Sequence, residues 1–214
     1  MNPFPVILSS PSGGGKTTIA RRLVTLRSDV AYSVSCTTRL PRAGEVDGRD
    51  YHFLSTGEFQ SARERGDFAE SAEVHGKMYG TLRREVERML AAGRHVLMDI
   101  DVQGAAQFTR VFPESVLVFL LPPSASVLLA RLMARKTEIG DALRVRLTAA
   151  LQELRAVQAY QYVVVNDDLD RAVNVVSSII DAESARRERV PQLDGMVQHL
   201  VSELTREIDK RSEG

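Results

Sequence analysis

The chain has 214 residues, 43% hydrophobic and 26% charged, the composition of one globular domain or of a domain carrying a large insertion; disorder, collagen and a disulfide-stapled miniprotein are excluded. Its 28 basic and 28 acidic residues cancel, so no global field draws it to nucleic acid or to an anionic membrane, and any anion site must be local. No run approaches the roughly 18 apolar residues of a spanning helix, Met1 to Ser9 lacks the features of a signal peptide, and the single cysteine, Cys36, has no internal disulfide partner, a pattern that reads as a soluble cytoplasmic protein.

In chain order, Val6 to Leu8 is a short apolar, β-prone run and Lys16 to Leu26 a helix-length stretch. Between them, Ser10-Pro11-Ser12-Gly13-Gly14-Gly15-Lys16-Thr17 matches a P-loop at every fixed position but the first, where Ser10 replaces glycine. Glycines let backbone N–H groups converge on phosphate oxygens, and the helix N-terminus adds positive potential. Lys16 reaches the β- and γ-phosphates, and the Thr17 hydroxyl can ligate Mg²⁺. Gly-Lys-Ser/Thr arises by chance about 0.03 times in a chain of this composition. ATP is therefore the ligand expected at Ser12, Gly13, Gly14, Gly15, Lys16, Thr17 and Thr18.

Ser33 to Gly80 breaks the strand–helix rhythm and reads as a small α+β insertion, with a strand near Tyr51 to Leu54, a helix near Glu58 to Arg65 and an extended piece near Phe68 to Val74. Within it, Arg39 and Arg42 lie three residues apart across Pro41, and two planar guanidinium forks at that spacing suit a phosphate monoester. Two anion sites in one α/β chain imply transfer from a donor nucleotide to a phosphorylated acceptor. Glu70 is a candidate base reader, because a carboxylate accepts both N1–H and N2–H₂ of a guanine edge; an ordinary solvated glutamate is the alternative.

Beyond the insertion, Leu82 to Ala92 is helical in length and Val96 to Met98 is a buried strand ending at Asp99, the acid expected beside the metal. Asp101 is as well explained as a cap of the helix Gln103 to Phe112. The strand Val116 to Leu121 precedes a helix, Ala125 to Ala134, and the arginines Arg131, Arg135, Arg144 and Arg146 flank a polar loop that reads as a mobile lid neutralising the transferring phosphoryl group. A helix Ala142 to Ala159, a strand Tyr162 to Val165 and helical spacing over Leu169 to Arg189 and Leu193 to Arg211 complete the chain. Nearly continuous apolar strands alternating with helices imply an α/β fold, a parallel sheet flanked by helices. The last helix either packs on the core or pairs with a second copy of the chain.

Taken together, Ser10 to Thr17, Ser33-Val34-Ser35-Cys36-Thr37-Thr38-Arg39-Leu40-Pro41-Arg42-Ala43-Gly44-Glu45, Asp50-Tyr51-His52-Phe53, Met78-Tyr79-Gly80-Thr81, Asp99-Ile100-Asp101-Val102-Gln103-Gly104 and Val165-Asn166-Asp167-Asp168 closely resemble the guanylate kinase family, in order over roughly Val6 to Arg187. The resemblance implies a core at 1–34, 93–134 and 147–190, a GMP-binding insertion at 35–92, a small lid at 135–146 and a C-terminal helix at 191–214. It implies that Ser35, Arg39, Arg42, Tyr51 and Tyr79 hold GMP, with Glu70 and Thr81 reading the guanine and Asp99 nearby. Lys16, Arg42, Arg135 and Arg146 match catalytic positions, while Arg131, Asn166 and Asp167 belong with ATP. The metal would be Mg²⁺ on Thr17, with Asp99 acting through water.

The sequence departs from the family pattern at Cys36, at Met78 and in the lid, where Ala134-Arg135-Lys136 stands for Gly-Arg-Gly; losing those glycines stiffens the hinge. Two rivals remain at this stage. One is a kinase of another phosphorylated acceptor on the same scaffold. The other is a non-catalytic guanylate-kinase-like module that binds protein ligands.

Overall fold

The computed structural model describes residues 2–74, 76–133 and 141–212. At its centre is a five-stranded parallel sheet in the order β2 (Val30–Tyr32), β7 (His95–Asp99), β1 (Pro5–Ser9), β8 (Val116–Leu121), β9 (Tyr162–Val165). Every residue of β1 is buried, as a middle strand covered on both faces requires. Its side chains alternate between the two faces. Val6 and Leu8 pack with Ile19 and Leu23 of α1 (Lys16–Leu26) and with Val173, Val176 and Ile180 of α7 (Leu169–Ser184). Ile7 faces the other way, toward Val86 of α3 (Arg83–Ala91) and Phe108 of α4 (Val102–Val111).

The expected elements are present with small changes of boundary. Three strands were not expected, Val30–Tyr32, Cys36–Thr37 and Lys77–Leu82; β2 has too short a run for periodicity, and only pairing with β7 makes it a strand. The stretch expected as one helix from Ala142 to Ala159 is α6 (Asp141–Arg155) followed by a 3₁₀ turn, Ala156–Ala159. Likewise α7 stops at Ser184, and Arg187–Arg189 forms a separate 3₁₀ turn. Between β8 and α6 lies α5 (Ala125–Met133).

The insertion is a second, four-stranded sheet in the order β4 (His52–Phe53), β3 (Cys36–Thr37), β6 (Lys77–Leu82), β5 (Phe68–Val74). Its helix α2 (Thr56–Glu64) starts with a full capping box between Ser55 and Glu58 and packs Phe59 on Phe68, their rings stacked at 4.5 Å. The expected α+β character is thus observed.

The C-terminal helix α8 (Leu193–Ser212) buries none of its residues, and Met196, Leu200, Leu204 and Ile208 are 56–64% exposed. It therefore does not cover the core of its own chain.

A buried carboxylate ties the end of α7 to the sheet. Glu183 accepts from the Tyr162 hydroxyl at 2.5 Å and lies 3.4 Å from the guanidiniums of Arg186 and Arg189, while Arg189 sits 4.0 Å over the Phe4 ring. Removing the carboxylate leaves Arg189, only 15% exposed, and the Tyr162 hydroxyl without their acceptor, while Arg186 is free to turn to solvent, so Glu183→Ala should lower the unfolding free energy by about 3 kcal/mol. A urea midpoint lowered by that free energy divided by the unchanged slope is the expected reading.

Candidate active site

The turn from β1 into α1 forms the loop expected from sequence. Gly15 has φ +90°, a left-handed conformation that β-carbon-bearing residues avoid, and a Cβ there would stand 2.6 Å from Asn166 Nδ2. That amide donates to the carbonyl of Gly14 at 2.7 Å, and Gly14 N–H donates to Pro11 O at 2.8 Å. Lys16 Nζ folds over the loop onto Ser10 O and Ser10 Oγ at 3.0 and 3.2 Å. Helix α1 carries no acid in its first turn, so the positive end of its dipole and the Lys16 charge add at one point. Ser12 and Gly13 line the loop, and Thr18 follows, exposed, in the first turn of α1.

Register brings the acid to this loop, because Leu8 of β1 pairs with Asp99 of β7. Asp99 accepts from Thr17 Oγ1 at 2.5 Å and from the Tyr32 hydroxyl. Sequence reasoning missed Tyr32, since its strand is too short to read. Asp101 does cap α4, accepting from Gly104 N–H at 2.7 Å.

Hydroxyl and carboxylate side by side at the loop suit a hard divalent cation. Among the described residues no group of three or more His, Cys, Asp or Glu could cage a metal.

On the insertion, Arg39 grips Glu45 with both nitrogens at 2.9 and 3.0 Å, and Arg42 N–H donates to the same carboxylate at 2.7 Å. The Arg39 guanidinium lowers the Glu45 pKa and lies 5.2 Å over the Tyr51 ring, which meets Tyr79 edge-on at 6.0 Å. Ser35 adjoins this group through its carbonyl, which accepts from His52 N–H. Asp50 is held at about 2 by the Val46 N–H, Arg49 and Arg21. Its bond to Arg21 on α1 connects the insertion to the core.

Glu70 and Thr81 are register partners on β5 and β6. Both are buried, and Thr81 Oγ1 donates to Glu70 Oε1 at 2.7 Å. The other carboxylate oxygen lies against α4, 2.8 Å from where a Cβ on Gly104 would be. Only glycine leaves this space, a role that single-sequence reading had not assigned to Gly104. The bland reading of Glu70 as a solvated side chain is therefore corrected.

On the remaining core elements, Arg131 Nη2 donates to Asn166 O at 3.3 Å, and Arg131 Nη1 is buried with no partner among the described residues. Asn166 is buried against the loop, whereas Asp167 is exposed and pairs with Arg171. Arg146 is half-buried on α6. Arg135, Lys136 and the rest of 134–140 lie outside the described residues.

The guanylate kinase family model matches residues 2–183. The chain belongs to the guanylate kinase family. It is 47% identical over 199 residues to a guanylate kinase of Chelativorans sp. (strain BNC1), covering 92% of this chain and 91% of that one. It is 45% identical over 201 residues to one of Bartonella quintana (strain Toulouse), with 94% and 90% covered. The crystal structure of guanylate kinase from Anaplasma phagocytophilum is similar in fold, with a TM-score of 0.76 at 33% identity and 92% and 94% coverage. The guanylate kinases are ATP-dependent nucleoside monophosphate kinases, and this chain is one of them. Among the described residues, no helix is long and apolar enough to cross a membrane.

Burial pushes the Glu70 carboxyl up to about 7, against the smaller opposing effect of Thr81. Between its ordinary value and 7 the folded protein keeps a proton that the unfolded chain has released, so stability falls as pH rises through that window and levels off above it. Urea titrations from pH 4.5 to 7.5 should show this fall, and Glu70→Gln should flatten it.

Proposed function

We propose that the chain transfers the γ-phosphoryl group of Mg·ATP to GMP, and also to dGMP, in the cytoplasm. A phosphate oxygen of GMP, ionised at neutral pH, attacks the γ-phosphorus; the bond to the β,γ-bridging oxygen breaks, and ADP and GDP result. No protein base is needed, so the protein contributes positioning and charge neutralisation.

In this reading Ser12 to Thr18 and Arg131 hold ATP, with Asn166 keeping the loop in shape and Asp167 beside the base. Lys16, Arg42, Arg135 and Arg146 neutralise the transferring group. Ser35, Arg39, Arg42, Tyr51 and Tyr79 hold the GMP phosphate end. Glu70 and Thr81 read the guanine, and Asp99 stands between the two ligands. Mg²⁺ would be held by Thr17 and, through water, by Asp99; when bound it neutralises phosphate charge. The observation that carries the reading is the buried Glu70–Thr81 pair at the seam with α4. A buried carboxylate whose partners are the neutral hydroxyl and N–H of Thr81 is matched to the two N–H groups of guanine, and adenine offers only one donor group there. The arginine pair alone would suit any phosphate monoester.

The decisive experiment is ADP production from Mg·ATP with GMP, dGMP, AMP, CMP, UMP and dTMP as acceptors. Turnover is expected with GMP and dGMP alone. Lys16→Ala should reduce it at least about 1000-fold. Glu70→Gln should raise KM for GMP more than about tenfold while leaving KM for ATP within about twofold. Turnover with another acceptor would keep the kinase and remove the base assignment; GMP binding without turnover would favour the binding module.

A homodimer through α8 is also proposed. The exposed residues Val197, Leu200 and Leu204, continued by the partly buried Leu193, fall at coiled-coil spacing. A parallel pairing would set Glu207 and Arg211 each against its own copy, whereas an antiparallel one brings Arg211 toward the Asp194 end. Light scattering should give twice the chain mass, and Leu200→Asp with Leu204→Asp should return a monomer.

A further inference from the structure

Glu153 is an acid where acids should be costly. Its Oε2 accepts the backbone N–H of Ser12 at 3.0 Å, inside a loop whose N–H groups and lysine serve an anionic triphosphate. A carboxylate there repels the ligand, so a compensating structural role is required.

That role follows from helix geometry. Glu153 lies on α6, and Arg146 on the same helix is seven residues earlier, two turns or about 10.5 Å away and within about 20° of the same face. Leu143, Leu147 and Ala150 of α6 pack on Leu128 and Leu132 of α5. Helix α5 in turn lies against the loop, with Arg131 Cβ and Leu132 Cδ2 3.5 and 3.7 Å from where a Cβ on Gly13 would stand. Apolar contacts hold α6 near the loop, yet they are non-directional and tolerate sliding and rotation. A slip of one residue turns the helix by about 100° and carries Arg146 off its face. A hydrogen bond to one named amide is directional and fixes the register.

We propose that Glu153 is a positioning residue that locks α6 to the phosphate-binding loop and thereby aims Arg146 at the transferring phosphoryl group. The proposal rests on the catalytic reading of Arg146 given above. The side chain acts through its reach and its acceptor oxygen; its charge is incidental.

Two variants separate those properties. Glu153→Gln keeps the reach and an acceptor oxygen without the charge, and Glu153→Asp keeps the charge but is one methylene shorter. Steady-state kinetics on the full chain with saturating Mg·ATP should show Glu153→Asp lowering kcat about 20-fold or more, with KM for GMP within about twofold, and Glu153→Gln staying within about threefold of the parent. Combining Glu153→Asp with Arg146→Ala should be no slower than Arg146→Ala alone, because both act on one interaction. Parent-like kcat in Glu153→Asp alongside a slow Arg146→Ala would overturn the proposal. A slow Glu153→Gln beside a parent-like Glu153→Asp would overturn it by assigning the effect to charge, and equal losses in both would overturn the statement that charge is incidental. A parent-like Arg146→Ala would overturn the catalytic reading of Arg146 and the proposal with it, and is recognised because that arm alone reports on Arg146.

Discussion

The hydrogen bond from Asn166 to the carbonyl of Gly14 is the constraint on which the rest of the site depends. A loop that turns its N–H groups toward an anion leaves carbonyls pointing elsewhere, and a buried carbonyl needs a donor. Asn166 supplies it from the end of β9, while its own N–H donates to Leu121 O at the end of β8. The loop is thus fastened to the two strands that follow it in the sheet, and the close approach excludes any side chain at Gly15. Arg131 and Glu153 add further attachments from α5 and α6. The loop is thus tied directly by Asn166 and Glu153, and through Asn166 to β8 and α5.

Local charge on a neutral chain has the same origin. Arg39, Arg42 and Glu45 form one network on the insertion, and Arg21, Arg49 and Asp50 form another. Carboxylates there set the direction of the guanidiniums and absorb part of their charge. An anionic ligand then meets oriented donors without a global basic field. The Glu70 carboxyl stands apart, since it is buried and its partners are the neutral hydroxyl and backbone N–H of Thr81. An ion in such a site has most to gain from ligand N–H donors, which is the physical argument for the proposed guanine reading.

The two sheets divide these tasks. The parallel sheet carries the loop, Asp99 and the helices α5 and α6, whereas the antiparallel ladder of β5 and β6 carries the Glu70–Thr81 pair proposed to read the base. Contact between Glu70 and α4 crosses the boundary, so the insertion and core share one seam. Helix α8 takes no part in this packing.

Much of this was legible in the sequence wherever short-range rules apply. The loop motif, helix α1, the buried strands β1, β7 and β8 and the α+β nature of the insertion follow from glycine placement, period and run length within a few residues of chain; β9 also forms, but as an edge strand with Val163 and Val165 exposed rather than the buried strand that its apolar run implied. The long motifs around Arg39, Asp101 and Asn166 carried the family. Other features needed the folded chain. Strand β2 exists only through its pairing with β7, and Tyr32 reaches Asp99 only because those strands are in register. Gly104 matters because a strand 34 residues earlier puts a carboxylate where its Cβ would be. Ser12 meets Glu153 across 141 positions. Local conformational preference is written in neighbouring residues, but contacts between distant segments depend on register and packing summed over the whole sheet, and no window of sequence contains them.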